Sequence, residues 1–409
     1  MTTQHPNPGG ALHGITVLDL GGEIANYCGR MFAQLGANVI LVEPPGGSSY
    51  RAAPPLAQST GESLRFAYDN CDKRSIEVNL GTPEGRETFT RLAKSADLLL
   101  DDRTQHDLEA QGFGYDELHT QFPNLTVTAI TPFGLAGPYS NYVATDATCM
   151  AFGGMLWLGG YDDGAPVQAA GHQSFRAGSL FGAVASMAAL VSENGGAGEV
   201  IDVSVQECVS LGLENAIQFY DLEGHNRRRH GGKQKQAGFG VFPCADGYVF
   251  LIAGGIGGNR FWGNFTEWMQ DAGVPNAALL EEQRWWERSF VESDEGKDLF
   301  WEIFTQYSER HTKAELLEAA IKWNVPLSPV KTLAEVHESL QLLAREFFTE
   351  MRIGEALVDA PGAPYRLLGT PWQSGGHAPQ VGQDSDVILS ELGADATSVA
   401  TAQGRGNYA

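Results

Sequence analysis

The chain of 409 residues carries Lys+Arg 27 against Asp+Glu 50, a formal charge of −23, with hydrophobic residues at 43%. Its length exceeds what one hydrophobic core fills, so two domains are expected. The charge repels nucleic acid and anionic lipid at long range, and no apolar run approaches the roughly 20 residues that cross a bilayer; a soluble protein is expected, in which any nucleotide site needs local cations.

The start, MTTQHPNPGGALHG, has neither the basic residues nor the apolar stretch of a signal peptide. Cys28, Cys71, Cys149, Cys208 and Cys244 are odd in number and scattered, which fits a reducing cytoplasm. With no CxxC and no HExxH, no metal site is expected.

From Gly14 the pattern is strand, helix, strand. ITVLDL is a β-branched run, ANYCGRMFAQLG has apolar residues at helical spacing, and NVILVE is a buried-strand run ending at Pro44 and Pro45. Such a unit implies a parallel sheet with a right-handed crossover. Thr82 is placed to cap a helix with Pro83 in its first turn, ADLLLDD is the next buried strand, and the segment from Leu125 is another. The small-residue stretch Ser174 to Asn194 predicts a long helix stopped by Gly195 and Gly196, followed by a strand and helix from Glu199. A doubly wound α/β domain, residues 1–222, is thereby complete.

At Glu223 the composition turns polar, basic and glycine-rich, reading as a linker or functional loop. CADGYVFLIAGG is a strand pattern and Asn259 to His337 an aromatic-rich helical one, so residues 223–341 are read as linker and small domain. Residues 342–409, with a helix pattern after Gln383, are read as a return to the first domain. No GxxxxGK[ST], GxGxxG or GxSxG occurs where it would matter, so phosphoryl transfer, dinucleotide redox chemistry and a hydrolase triad lose support.

Several blocks together carry a resemblance that spans nearly the whole chain: GITVLDL with LGANVILVEPPGG; NCDKRSIEVNLGTPEGRETFTRLAKSADLLLDD; QGFGYDELHTQFPNLTVTAITPFGLAGPY; and VGQDSDVILSELG. In this order and spacing the chain resembles the class III coenzyme A transferases. The resemblance implies an α/β fold with a doubly wound large domain, a smaller α+β domain and two subunits interlocked like chain links. It implies transfer of CoA from an acyl-CoA, with succinyl-CoA the expected donor, to a carboxylic acid, with (R)-2-benzylsuccinate the expected acceptor. The covalent carrier in that family is an aspartate.

The carrier's position, within QAAGHQSFRAGSLFGA, is here Ser174. An alcohol has no acyl carbon on which to hold a thiol, so Ser174 is not expected to serve. The histidine and aspartate of the family's racemases correspond to Thr145 and Asp146, which disfavours racemisation. Contacts to coenzyme A have also changed: Glu23 stands beside the expected nucleotide site, Asp102 where an asparagine is usual, Ala110 for an arginine and Thr131 for a lysine. Fewer cations and more carboxylates oppose a polyphosphate.

Lys73 and Arg74 match the family, either as a pantetheine or phosphate contact or as a solvated turn pair. With Ala25, Thr131 and Arg228 they make up the candidate cofactor-binding residues; no catalytic residue is assigned, Asp146 being the alternative carboxylate. The run Arg227, Arg228, Arg229, His230, Lys233 and Lys235 is either a solvated loop or a paired-arginine contact to a dicarboxylate or to CoA phosphates. His172 and His377 lack an evident carboxylate partner in sequence and are read as structural. Trp285, Trp286 and Phe290 are read as core.

The expected role is a silent, pocket-forming subunit, inactive alone. Its expected partner is a homologous class III subunit that keeps the aspartate and binds most of the CoA thioester; neither nucleic acid nor membrane is an expected partner. Two alternatives stand beside it: an acyl-CoA-binding pseudoenzyme with no transferase partner, and a homodimeric acyl-CoA enzyme using another carboxylate.

Overall fold

The computed structural model describes residues 9–192, 198–232, 234–254, 260–373 and 376–393. The chain divides into two compact units, one of Met1–Leu156, Gln168–Gly224 and Arg345–Ala409, the other of Trp157–Val167 and His225–Ala344.

In the first unit β1 (Thr16–Asp19), β2 (Asn38–Glu43), β3 (Arg74–Glu77), β4 (Leu98–Asp101), β5 (Thr126–Thr131) and β6 (Val200–Ser204) form one sheet. The order is β3-β2-β1-β4-β5-β6 and every pairing is parallel. The winding therefore reverses between β1 and β4, the kind of place where open α/β sheets form a crevice at their carboxyl ends. Every residue of β4 and β5 is buried, as a sheet covered on both faces requires.

The helices that matter for the site are α1 (Asn26–Gln34), α2 (Leu64–Asp69), α3 (Pro83–Lys94), α4 (Asp146–Phe152) and α5 (Gln173–Leu190). Thr82 Oγ1 accepts the Gly85 amide at 3.1 Å with Pro83 in the first turn, the start that the sequence predicts for α3. Small residues let α5 lie directly on the sheet. A Cβ on Gly182 would stand 2.5 Å from Ile130 Cδ1, and one on Gly178 2.8 Å from Val205 Cγ2. The helix stops at Leu190 rather than Asn194. Val191 is 71% exposed and Ser192 is exposed too, so the turn that follows Leu190 gains no burial to offset the cost of helical order; Asn194 lies outside the described residues. Gly195 and Gly196 lie outside the described residues. The helix Ser385–Glu391 buries Ile388 and Leu389 in the same core cluster as Phe89 and Leu92.

The second unit holds an antiparallel sheet of β7 (Phe239–Cys244), β8 (Gly247–Ile252) and β9 (Leu327–Val330). Its core is aromatic. Phe265 stacks on Phe300 at 5.0 Å and Phe242 meets Phe304 edge-on at 5.1 Å, geometries that suit ring quadrupoles. Trp285 is buried and packs on Phe290 at 4.9 Å, whereas Trp286 is 54% exposed. The core assignment therefore fails for Trp286, since its side chain leaves the short 3₁₀ turn Gln283–Trp286 on the solvent side while that of its neighbour points inward.

Candidate functional site

Asp146 opens α4 and Ser174 lies in the first turn of α5. Thr145 caps α4, accepting the Thr148 amide at 3.3 Å, which fixes Asp146 at the positive end of the helix. Asp146 Oδ1 accepts from the Ser174 amide at 2.9 Å and from Ser174 Oγ at 2.6 Å, and its Oδ2 accepts from Gln168 Nε2 at 2.9 Å. Ser174 and Asp146 are 1% and 3% exposed. A buried carboxylate has to be satisfied by donors, and here each oxygen is committed to a donor of this chain. That geometry counts against Asp146 as a nucleophile, because no open approach is left for a thioester carbonyl.

Further along α5 a charged knot surrounds Glu23, Tyr27, Tyr50, Arg65, Asp69, His172 and Arg176, and the space between them is too small for one water molecule. Arg65 pairs with Glu23, Arg176 pairs with Asp69, and the Tyr50 hydroxyl donates to Asp69 at 2.6 Å. Burial and the neighbouring Asp69 hold the Tyr50 phenol protonated well above its ordinary range. His172 Nδ1 lies 3.3 Å from Glu23 Oε1, within ion-pair distance but without hydrogen-bond alignment. The carboxylate partner that the sequence did not reveal for His172 is thus Glu23. Arg65, Asp69 and Arg176 were not singled out from the sequence. The one available signal was Arg176 inside the SFRAG segment, two residues after Ser174.

The candidate cofactor residues fall in different places. Lys73 is neither solvated nor open to a ligand: it is buried, and its ammonium donates to Asp19 Oδ2 at 2.6 Å, the Asn26 carbonyl at 2.7 Å and Asn70 Oδ1 at 2.8 Å. A buried lysine needs such partners, and all three of its protons are used. Arg74 makes a two-pronged pair with Glu391 at 3.0 and 3.1 Å. Ala25 is fully buried, with its amide 3.4 Å from Asp102 Oδ2. Thr131 is buried and its hydroxyl finds no partner among the described residues.

In the basic run, Arg229 donates to the carbonyls of Tyr161, Trp157 and Gly164 and lies over the Trp157 ring. Its guanidinium is a clamp on the Trp157–Val167 stretch. Arg228 and Lys235 are exposed, and Lys233 lies outside the described residues. Partial burial, with Lys235 and Lys297 next, pushes the His230 imidazole below its ordinary value. Among the described residues no group of three or more His, Cys, Asp or Glu gathers as a metal site, and no helix is long and apolar enough to cross a membrane.

A parallel sheet of this order agrees with the family expectation, and comparison with known proteins shows the family. The chain belongs to CoA-transferase family III, whose family model matches residues 12–385. It is 38% identical over 386 residues to the succinyl-CoA:(R)-benzylsuccinate CoA-transferase subunit BbsE of Thauera aromatica, covering 92% of this chain and 93% of that one. It is 29% identical to the succinate–glutarate CoA-transferase of Agrobacterium fabrum, covering 95% and 98%. The solved structure of a CAIB/BAIF family protein from Brucella suis superposes with a TM-score of 0.80 at 26% identity, covering 94% of this chain and all of that one.

Proposed function

We propose that this chain is the silent, pocket-forming subunit of a hetero-oligomeric CoA-transferase that moves CoA from succinyl-CoA to (R)-2-benzylsuccinate in the cytoplasm, with a homologous subunit supplying the carrier aspartate. The observation that carries this reading is Ser174 hydrogen-bonded to Asp146, both buried. Neither group offers a free carboxylate where the family's chemistry needs one. The name of the Thauera relative, a subunit of a benzylsuccinate transferase, supports both the partner and the acids.

In this scheme the partner's aspartate attacks the succinyl thioester carbonyl and expels CoA thiolate, leaving a mixed anhydride. The thiolate attacks the aspartyl carbonyl, releasing succinate and forming an aspartyl thioester. The acceptor carboxylate then displaces the thiolate to give a second anhydride, and the thiolate attacks the acceptor's acyl carbon, freeing the aspartate. This chain contributes walls to the pocket and stability to the assembly. Of the five candidate cofactor residues, Arg228 is the exposed cation left for an acid or phosphate contact.

Purified alone, the chain is expected to show no transfer between succinyl-CoA and (R)-2-benzylsuccinate. Mixed with a homologue that has aspartate at the position of Ser174, it is expected to form a complex that turns over. Turnover by the isolated chain at a rate typical of CoA-transferases would refute the reading.

A further inference from the structure

Three helices of the second unit, Arg260–Asp271, Asp294–Ser308 and Lys313–Trp323, bring their C-terminal ends around one open cleft of about 410 Å³. Its lining belongs wholly to this unit, and its volume falls among those of small-molecule sites. Aromatic rings form much of the wall. Trp268 is buried, Tyr307 meets it edge-on at 5.6 Å, and the Tyr307 ring stacks on the His311 imidazole at 4.0 Å. Tyr307 and Trp323 are only half-buried.

Basic side chains share the cleft with these rings. Arg310 and Lys322 are exposed, and among the described residues neither forms an ion pair; Lys322 Nζ stands 5.2 Å from the centre of the Trp323 ring. His311 Nδ1 donates to the Tyr307 carbonyl at 2.8 Å, which leaves Nε2 for another partner. Among the described residues Asp271 is the one carboxylate of the lining, and it bridges to neither cation. By contrast, Arg284, Arg288, Lys297 and Lys313 of the same unit each pair with a carboxylate. In a chain of 50 acids against 27 bases, an arginine and a lysine without ion-pair partners in one cleft reverse the sign of the charge locally. Helix C-termini favour cations, which accounts for that sign. It does not account for the half-buried rings left open beside them.

We propose that this cleft is a binding site for a small aromatic carboxylate, with Arg310 and Lys322 holding the carboxylate and the Tyr307 and Trp323 rings holding the arene. A guanidinium fork matches the two oxygens of a carboxylate, and open ring faces and edges suit a flat apolar group. An aliphatic acid uses only the cations, and a neutral arene only the rings. The site is built from the second unit, whereas Ser174 and Asp146 belong to the first. It therefore stands or falls independently of the reading given under Proposed function.

The test uses the full-length chain and phenylacetate, with acetate as the acid that lacks the arene and phenylacetamide as the arene that lacks the charge, all followed by titration calorimetry. Phenylacetate is expected to bind at least about tenfold more tightly than either control. Arg310→Ala is expected to weaken phenylacetate by about tenfold and Lys322→Ala by about threefold, both being exposed changes that leave the fold intact. Arg288→Ala, an exposed cation outside the cleft, is expected to change nothing. In nitrogen-labelled protein the Trp323 indole resonance, assigned by its loss in Trp323→Phe, is expected to shift along the calorimetric saturation curve. Absence of saturable binding up to about 20 mM would overturn the proposal. So would equal affinity for phenylacetate and acetate, or full-strength binding in Arg310→Ala, which would put the acid elsewhere on the chain. Turnover by the isolated chain would remove the silent-subunit reading and leave the phenylacetate result standing.

Discussion

Ser174 gives its hydroxyl hydrogen to the Asp146 carboxylate across 2.6 Å, so the position at which relatives are expected to carry an aspartate faces a second carboxylate in this chain. Restoring the carrier there would place two acids against each other in a buried space. Ser174→Asp is expected to lower stability by about 2 to 4 kcal/mol at about pH 8 and to leave the isolated chain inactive. The new carboxyl has a folded pKa above its unfolded one, so the folded state binds the extra proton and the loss grows as pH rises through that window. Adding Asp146→Asn is expected to recover much of the loss. Urea unfolding of both variants at two pH values reads this, and a loss that shrinks with rising pH would contradict it.

Lys73 and Asp19 are both fully buried, with side chains at 0% exposure. Lys73→Met keeps the stem and strands the Asp19 charge. A loss of about 3 to 5 kcal/mol is expected, and Lys73→Met with Asp19→Asn is expected to be less destabilised than Lys73→Met alone. Chemical denaturation midpoints decide it. A single-variant loss below about 1 kcal/mol would mean that the pair is open to water.

Asp102 titrates at about 6 in the folded chain, against about 4 when unfolded. A carboxyl raised in this way costs stability as pH rises from about 4 to about 6 and no more above that. Asp102→Asn is therefore expected to be the more stable protein at about pH 8, by about 1 to 2 kcal/mol after allowance for partial exposure, and to lose its advantage below about pH 4. Melting curves across that range check the sign.

Arg229 serves three carbonyls with one planar fork. Arg229→Ala is expected to cost the second unit about 2 to 3 kcal/mol and to speed amide exchange across Trp157–Val167. A lysine substitute is not expected to rescue it, because an ammonium lacks the fork. Arg228→Ala should stay within about 0.5 kcal/mol of the unaltered chain. Exchange rates in residues 157–167 that respond equally to both changes would rule out the clamp.

The strands and the start of α3 were legible because their signals are local. NVILVE and ADLLLDD are apolar runs that only a doubly covered sheet can bury, and Thr82 with Pro83 is a helix start whatever surrounds it. The end of α5 was not legible, since it depends on where buried contacts cease at Val191. The pairing of His172 with Glu23 and of Arg176 with Asp69 was hidden for a related reason: the partners lie 149 and 107 residues apart in the chain.

The sequence by itself determined the family and the parallel α/β sheet, because each of these is a matter of residue type and order. Tertiary structure alone decided what the remaining polar groups do. Lys73 became the counterion of Asp19, Asp102 the occupant of the Gly22–Ala25 amides and Asp146 the acceptor for Ser174. A buried charge takes whichever partner the fold brings within about 3 Å, and that distance is not written in the spacing of the residues along the chain.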